Sequence, residues 1–177
     1  MTSAPSWQSS LSLLLNQAAS KAGGFANIVI MGIGNEMRAD DAAGMLVARR
    51  LLEHECICEN GRVRVILAEH APENATWQLR GFEPHLILLA DAAAMDELPG
   101  TVRWIEMDEI EGISASTHSL PLSMLARYLV LEFNCPVALL GIQPASNDFD
   151  GPVCADVLRA VDEIVNELVN QISPVRK

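Results

Sequence analysis

The sequence predicts an α/β fold: a three-layer sandwich with a twisted, mainly parallel five-stranded sheet and helices on both faces. Three observations carry that expectation. Short runs of Val, Ile and Leu alternate along the chain with stretches whose apolar residues recur at helical spacing. The run Leu86-Ile87-Leu88-Leu89-Ala90 is apolar without alternation, as a central strand buried on both faces requires. The chain has 177 residues, 50% of them hydrophobic, which suits one domain with a real core.

The elements follow in order. Residues 6–21 predict an amphipathic helix whose apolar part is Leu11, Leu13, Leu14, Leu15 and Ala18, stopped by Ala22-Gly23-Gly24. Residues 1–26 therefore read as an N-terminal extension to an α/β domain over 27–177. Strand one is expected over 28–31. A helix follows over 41–54, with Ala43, Leu46, Val47 and Leu51 on its apolar side. Residues 63–67 form strand two, and 72–79 a turn with a short helix. Strand three covers 86–90. Leu98-Pro99-Gly100 turns the chain into strand four, 102–106. Residues 121–133 predict a helix with Pro121 in its first turn. Strand five is 137–141. A last helix over 152–172 repeats Val153, Val157, Val161, Ile164 and Leu168 at intervals of three and four.

Charge narrows the function classes. The chain carries 12 basic and 23 acidic residues, a net −11. Such a surface does not displace counterions from phosphates, so nucleic acid and anionic membrane are not expected partners. A basic peptide would suit it, although acidity also serves solubility alone. Cys56, Cys58, Cys135 and Cys154 show no C-x-x-C spacing, which points to free thiols in a reducing compartment. A soft-metal cluster of Cys56 and Cys58 with His54 is disfavoured, because helix positions two apart diverge. The N-terminus lacks the pattern of a secretory signal, and no apolar run reaches the roughly 20 residues that span a bilayer. The expected location is the cytoplasm.

Three residues stand out chemically. Asp41 follows an apolar strand, the glycine turn Gly32-Ile33-Gly34, and Asp40. Asp91 ends the apolar run of strand three. His118 lies in Thr117-His118-Ser119-Leu120-Pro121. Open α/β sheets build their sites just past the carboxyl ends of strands. Two carboxylates and an imidazole are an O/O/N set suited to Zn²⁺ or Ni²⁺. Each residue also has a plain structural role open to it. Asp40 or Asp41 could cap the following helix, and Asp40 is the one expected to do so. Asp91 could cap the Ala92-Ala93-Ala94 segment. His118 could be a loop or helix-cap residue. Among the other histidines, His54 and His85 lack comparable contexts, and His70 follows strand two. Gln143, after strand five, reads first as part of a strand-ending turn. Gly32-x-Gly34 lacks the third glycine of a dinucleotide turn, since Met37 stands there. No Gly-x-Ser-x-Gly elbow or His-Glu-x-x-His occurs, so a serine hydrolase or zincin is not expected.

Taken together over residues 27–172, these marks give a resemblance. They are Gly32-Ile33-Gly34-Asn35 with Asp40-Asp41 and Gly44, Ala71-Pro72-Glu73-Asn74, Leu89-Ala90-Asp91-Ala92, Leu98-Pro99-Gly100, Thr117-His118-Ser119-Leu120-Pro121-Leu122, and Gly141-Ile142-Gln143-Pro144. In their order and spacing the chain resembles the nickel-iron hydrogenase maturation endopeptidases, closest to the branch that processes the large subunit of the formate-hydrogenlyase hydrogenase. The resemblance implies removal of a C-terminal extension from a hydrogenase large-subunit precursor after nickel insertion. It implies three metal-contacting positions, matched here by Asp41, Asp91 and His118, with Asp41 and Asp91 also the candidate catalytic groups. The nickel would be supplied by the substrate, and other divalent metals could occupy the same positions. The chain departs from the pattern after strand two. There Leu67-Ala68-Glu69-His70 replaces an Asp-Gly-Gly-Thr-like stretch. Two rivals follow: a non-catalytic nickel-sensing or chaperone module for the same precursor, and a nucleotide-binding α/β enzyme using Gly32 and Gly34.

Overall fold

The structure, a computed structural model, describes residues 5–106, 114–115 and 121–172. Its centre is strand β1 (Ile28–Ile33), every residue of which is buried. A β-branched, all-apolar run of this kind fits only between two covered faces. On one side β1 pairs in parallel with β2 (Val63–Glu69), and on the other with β3 (Leu86–Ala94). β3 in turn pairs in parallel with β6 (Val137–Ile142), and β4 (Val102–Glu106) closes that edge antiparallel to β6. The order is thus β2-β1-β3-β6-β4, five strands and mainly parallel as expected. A two-residue strand, β5 (Ser114–Ala115), pairs antiparallel with the end of β3. β4 reverses direction because only residues 95–101 separate it from β3. That is too short for the crossover a parallel return needs.

Residues alternate between two cores. Ile28 and Ile30 of β1 and Leu86, Leu88 and Ala90 of β3 face one layer. It is built by helices α1 (Trp7–Lys21), α2 (Ala43–Leu52) and α5 (Ala155–Ile172). Val29, Met31 and Ile33 of β1 and Ile87 and Leu89 of β3 face the other. That layer holds α4 (Leu122–Phe133) and the 3₁₀ segment Pro72–Leu79. This period of two is the strand signature. α1 begins at an N-cap Ser6 whose hydroxyl accepts the Ser9 N–H. Its Trp7, Leu11 and Ala18 lie within the first core. α4 stops at Asn134, which takes the left-handed conformation that asparagine tolerates at a helix end.

Several boundaries shift by a residue or two, and three larger differences from expectation have structural reasons. The helix expected over 41–54 divides. Ala39–Ala42 is a 3₁₀ turn, α2 starts only at Ala43, and a short α3 (Glu55–Cys58) follows. The last helix starts at Ala155 rather than 152, because the Cys154 N–H is held by Asp40 (2.6 Å). β3 runs on to Ala94, with Asp91 and Ala92 pairing to β6 and Ala93 and Ala94 to β5, so Asp91 lies inside the strand and Ala92-Ala93-Ala94 need no cap. Among the described residues, no helix is long and apolar enough to cross a membrane.

Candidate active site

β1 delivers the chain to the carboxyl edge of the sheet, and two glycines decide what happens there. Gly34 has φ +137°, and a side chain on it would collide with the Asp41 carbonyl. Only glycine permits this close return. The Asn35 N–H then meets both the Asp41 carbonyl (3.2 Å) and Asp41 Oδ2 (3.0 Å). Gly44, in the first turn of α2, packs directly on the carbonyls of Ile33 and Ala90. The 3₁₀ turn carrying Asp40 and Asp41 is therefore clamped over the ends of β1 and β3. Gly32, by contrast, stays inside β1 and takes no part in the turn.

β3 brings Asp91 to the same edge. Gly32 pairs with Ala90, so Asp91 stands one residue further on, beside the end of β1 and opposite Gly141 of β6. Ile87 and Leu89 face the α4 layer, and by alternation Asp91 does too. Asp41 and Asp91 are both buried. The two expected acids thus both lie at the carboxyl edge of the sheet, one on the turn after β1 and one on β3. His118, the third expected member, lies outside the described residues. Among the described residues, no group of three or more His, Cys, Asp or Glu is gathered at a metal-binding spacing.

The two adjacent acids divide their roles. Asp40 Oδ2 accepts the N–H groups of Ala145 (2.7 Å) and Ser146 (3.1 Å), and Oδ1 accepts that of Cys154. The expectation that Asp40 is structural holds, but its partners belong to a loop more than a hundred residues away, and it does not cap its own helix. Asp41 Oδ1 is buried and receives no hydrogen bond among the described residues. Burying a carboxylate oxygen without a donor is costly, so this oxygen is poised for a proton, a metal or a substrate donor.

Neighbouring groups complete the frame. Gln143 Oε1 accepts the N–H groups of Met95 (2.7 Å) and Glu97 (3.3 Å), bracing the chain as it leaves β3. His85 Nδ1 accepts the Asn27 N–H. His70 lines a groove of about 260 Å³ with Glu69, Asn74 and Gln78 at the carboxyl end of β2. The Glu69 carbonyl accepts the Gly34 N–H (3.0 Å), so this groove adjoins the Asp41 turn. Glu36 forms a two-pronged pair with Arg49 (both 2.6 Å), and that hydrogen bond holds its carboxyl below the usual glutamate range. The stability this pair contributes is present above the ordinary glutamate pKa and fades as pH falls through the lowered one. The four cysteines are free. Burial pushes the Cys135 thiol up to about 11, so it is no nucleophile at neutral pH. Sequence reasoning gave Asn35 no role. The signal was its place between a glycine turn and the acids, where its N–H fixes one oxygen of Asp41.

Comparison with known proteins agrees with the fold. The family model described as hydrogenase maturation protease matches residues 46–171. A Methanocaldococcus jannaschii relative is 38% identical over 153 residues, covering 84% of this chain and 90% of its own length. The hydrogenase 3 maturation protease of Escherichia coli is 33% identical over 141 residues, 79% of this chain and 87% of that protein. The crystal structure of the NiFe hydrogenase maturation protease HycI from Thermococcus kodakarensis superposes with a TM-score of 0.80 at 26% identity, covering 93% of this chain and 99% of that one. The α/β fold is thus that of a known protease, and the chain belongs to the hydrogenase maturation protease family.

Proposed function

We propose that this protein is a cytoplasmic endopeptidase that removes the C-terminal extension of a nickel-iron hydrogenase large-subunit precursor once nickel has been inserted. The observation that carries the site assignment is the half-satisfied carboxylate of Asp41. One oxygen is fixed by the Asn35 N–H and the other is buried without a donor among the described residues, beside the strand that carries Asp91. In this reading the nickel arrives with the precursor and is part of the substrate. Asp41, Asp91 and His118 are the residues that contact it, an O/O/N set suited to that ion. Anchoring the precursor there fixes the scissile peptide bond at the carboxyl edge of the sheet, which lowers the entropic part of the barrier.

The hydrolytic step needs a water and a base. Asp41 Oδ1 takes a proton from the water as its oxygen attacks the scissile carbonyl. The C–N bond then breaks and the leaving nitrogen takes up that proton from Asp41, which restores the carboxylate. Asp91, fully buried, lies beside the reacting atoms and orients the bound precursor. The groove at Glu69, His70, Asn74 and Gln78 contacts the segment next to the cut.

The test is the intact mass of a nickel-loaded large-subunit precursor incubated with and without the protein, beside a nickel-free control. Loss of a C-terminal peptide from the nickel-loaded form alone is expected. Equal cleavage of both forms would remove the nickel requirement. Stable binding without cleavage would favour a non-catalytic precursor-binding module.

A further inference from the structure

α4 is apolar on the wrong side as well as the right one. Its inner residues Leu122, Leu125, Ala126 and Leu129 are buried in the sheet-facing core. Its outer residues Met124, Tyr128 and Leu131 are 57%, 39% and 76% exposed. Steps of four and three place them in one stripe. A helix that is hydrophobic all round is ordinarily covered on all sides, and a contiguous exposed apolar patch marks an interaction site more often than chance exposure.

Charge and position identify what covers it. α4 carries only Arg127 and Glu132, so it is neutral, in a chain of net −11. α5, in the opposite layer, carries Asp156, Asp162, Glu163 and Glu167 against Arg159. α4 itself therefore adds no net charge to the face it presents. α4 feeds β6, which runs parallel to β3, and Ile87 donates to the Pro136 carbonyl where the two strands begin. The helix N-terminus therefore lies at the carboxyl edge of the sheet and its C-terminus at the other. Met124 is the stripe residue nearest the Asp41 and Asp91 edge. The stripe leads away from that edge for about 10 Å at 1.5 Å per residue. Asp91 points into the same layer. A protein whose cleavage segment reaches Asp41 and Asp91 thus lies over this helix.

We propose that the outer face of α4, through Met124, Tyr128 and Leu131, docks an uncharged apolar patch on the folded body of the large-subunit precursor, separately from the segment that is cut. This rests on the processing reading above. A convex helix face suits a folded surface rather than an extended peptide, which takes a strand edge or a groove. Tyr and Met are among the residue types that interfaces favour, and a few such anchors carry most of the binding energy.

The test compares Met124→Glu/Leu131→Glu with Leu13→Glu. Leu13 is a 60% exposed leucine on α1, in the opposite layer. Affinity for the nickel-loaded precursor is measured by interferometry with every variant in an Asp41→Asn background, so that the precursor stays intact. Processing is measured separately without that substitution. The α4 variant is expected to raise Kd about tenfold or more and to raise KM alongside it, with kcat at saturation unchanged. Leu13→Glu is expected to change neither. Leu131→Gln, milder, keeps the test if the double charge disturbs the helix, with circular dichroism reporting the fold. An unchanged Kd in a folded α4 variant overturns the proposal. So does sedimentation showing a wild-type dimer that the α4 variant dissociates without loss of precursor affinity, which makes the stripe a self-association face. If the wild type binds the precursor but never cuts it, the processing reading fails and the Kd series still decides the docking.

Discussion

Asp40 and Asp41 are adjacent in the chain and each is 1% exposed, yet they serve different regions of the molecule. Asp40 looks toward the loop before α5 and is saturated there, with three backbone N–H groups on its two oxygens. Asp41 looks toward the end of β1, where the Asn35 N–H holds one oxygen and the other receives no donor among the described residues. A buried carboxylate with full hydrogen bonding is a brace. One held half-satisfied works against stability and is explained by chemistry. Burial alone does not separate a structural acid from a functional one; the accounting of its lone pairs does.

The largest effect comes from breaking the Asp41 side. Asp41→Asn keeps an oxygen for the Asn35 N–H and removes the base, so processing of a nickel-loaded precursor is expected to fall by about 10²–10⁴-fold. The melting temperature is expected to stay within a few degrees of wild type, since no packed atom is lost. Asp91→Asn belongs to the same class. Single-turnover processing followed by mass spectrometry measures both. Wild-type rates in either variant would return these acids to a structural role.

Breaking the Asp40 side gives the converse. Asp40→Ala strands three backbone N–H groups, two on the loop at Ala145 and Ser146 and one at the start of α5. Hydrogen bonds to a charged acceptor contribute about 1.5–3 kcal/mol each and do not add fully, so a loss of about 3 kcal/mol is expected. At about 2–4 °C per kcal/mol for a chain of this size, melting falls by roughly 6–12 °C. Below that temperature processing is expected to persist. A variant as stable as wild type, or one that is folded but inactive, would erase the division of labour between the two acids.

That division was only half legible in the sequence. Strand and helix alternation is local, so β1, β2, β3 and β6 could be placed from apolar runs alone. Gly34 and the two acids after β1 showed that a turn brings a carboxylate to the sheet edge. Asp40's partners could not be read. Residues 145, 146 and 154 are distant in sequence, and backbone N–H groups leave no mark in it. Gln143 was hidden in the same way, since a glutamine bracing Met95 and Glu97 looks like any residue after a strand. The end of β3 was misplaced because the alanines after Asp91 carry no strong strand preference. Ala92 is strand through pairing with Ile142 of β6, and Ala93 and Ala94 through pairing with β5. Asn35 was visible, but a backbone donor does not depend on the side chain that carries it.

The smallest effect probes how the Asp41 side is held. Glu69 has φ +55°, a left-handed conformation that costs an ordinary L-residue roughly 1–2 kcal/mol. The pairing of β1 and β2 slips there: Gly32 faces Leu67 and Ile33 faces Glu69, leaving Ala68 as an extra residue. The bulge turns the Glu69 carbonyl onto the Gly34 N–H, and Gly34 in turn lets the chain return to Asp41. Asparagine tolerates this conformation better than glutamate. Glu69→Asn is therefore expected to stabilise the fold by about 0.5–1 kcal/mol, and Glu69→Val to destabilise it by about as much or more, both by urea unfolding. Equal stability of the three would mean that the bulge is not strained. The Asn variant keeps the carbonyl, so the processing rate is expected to hold. If stability rises but processing falls, the Glu69 carboxylate itself contacts the precursor in the groove with His70, Asn74 and Gln78. The functional side of the comparison would then have an acid on β2 as well as those on the turn and on β3.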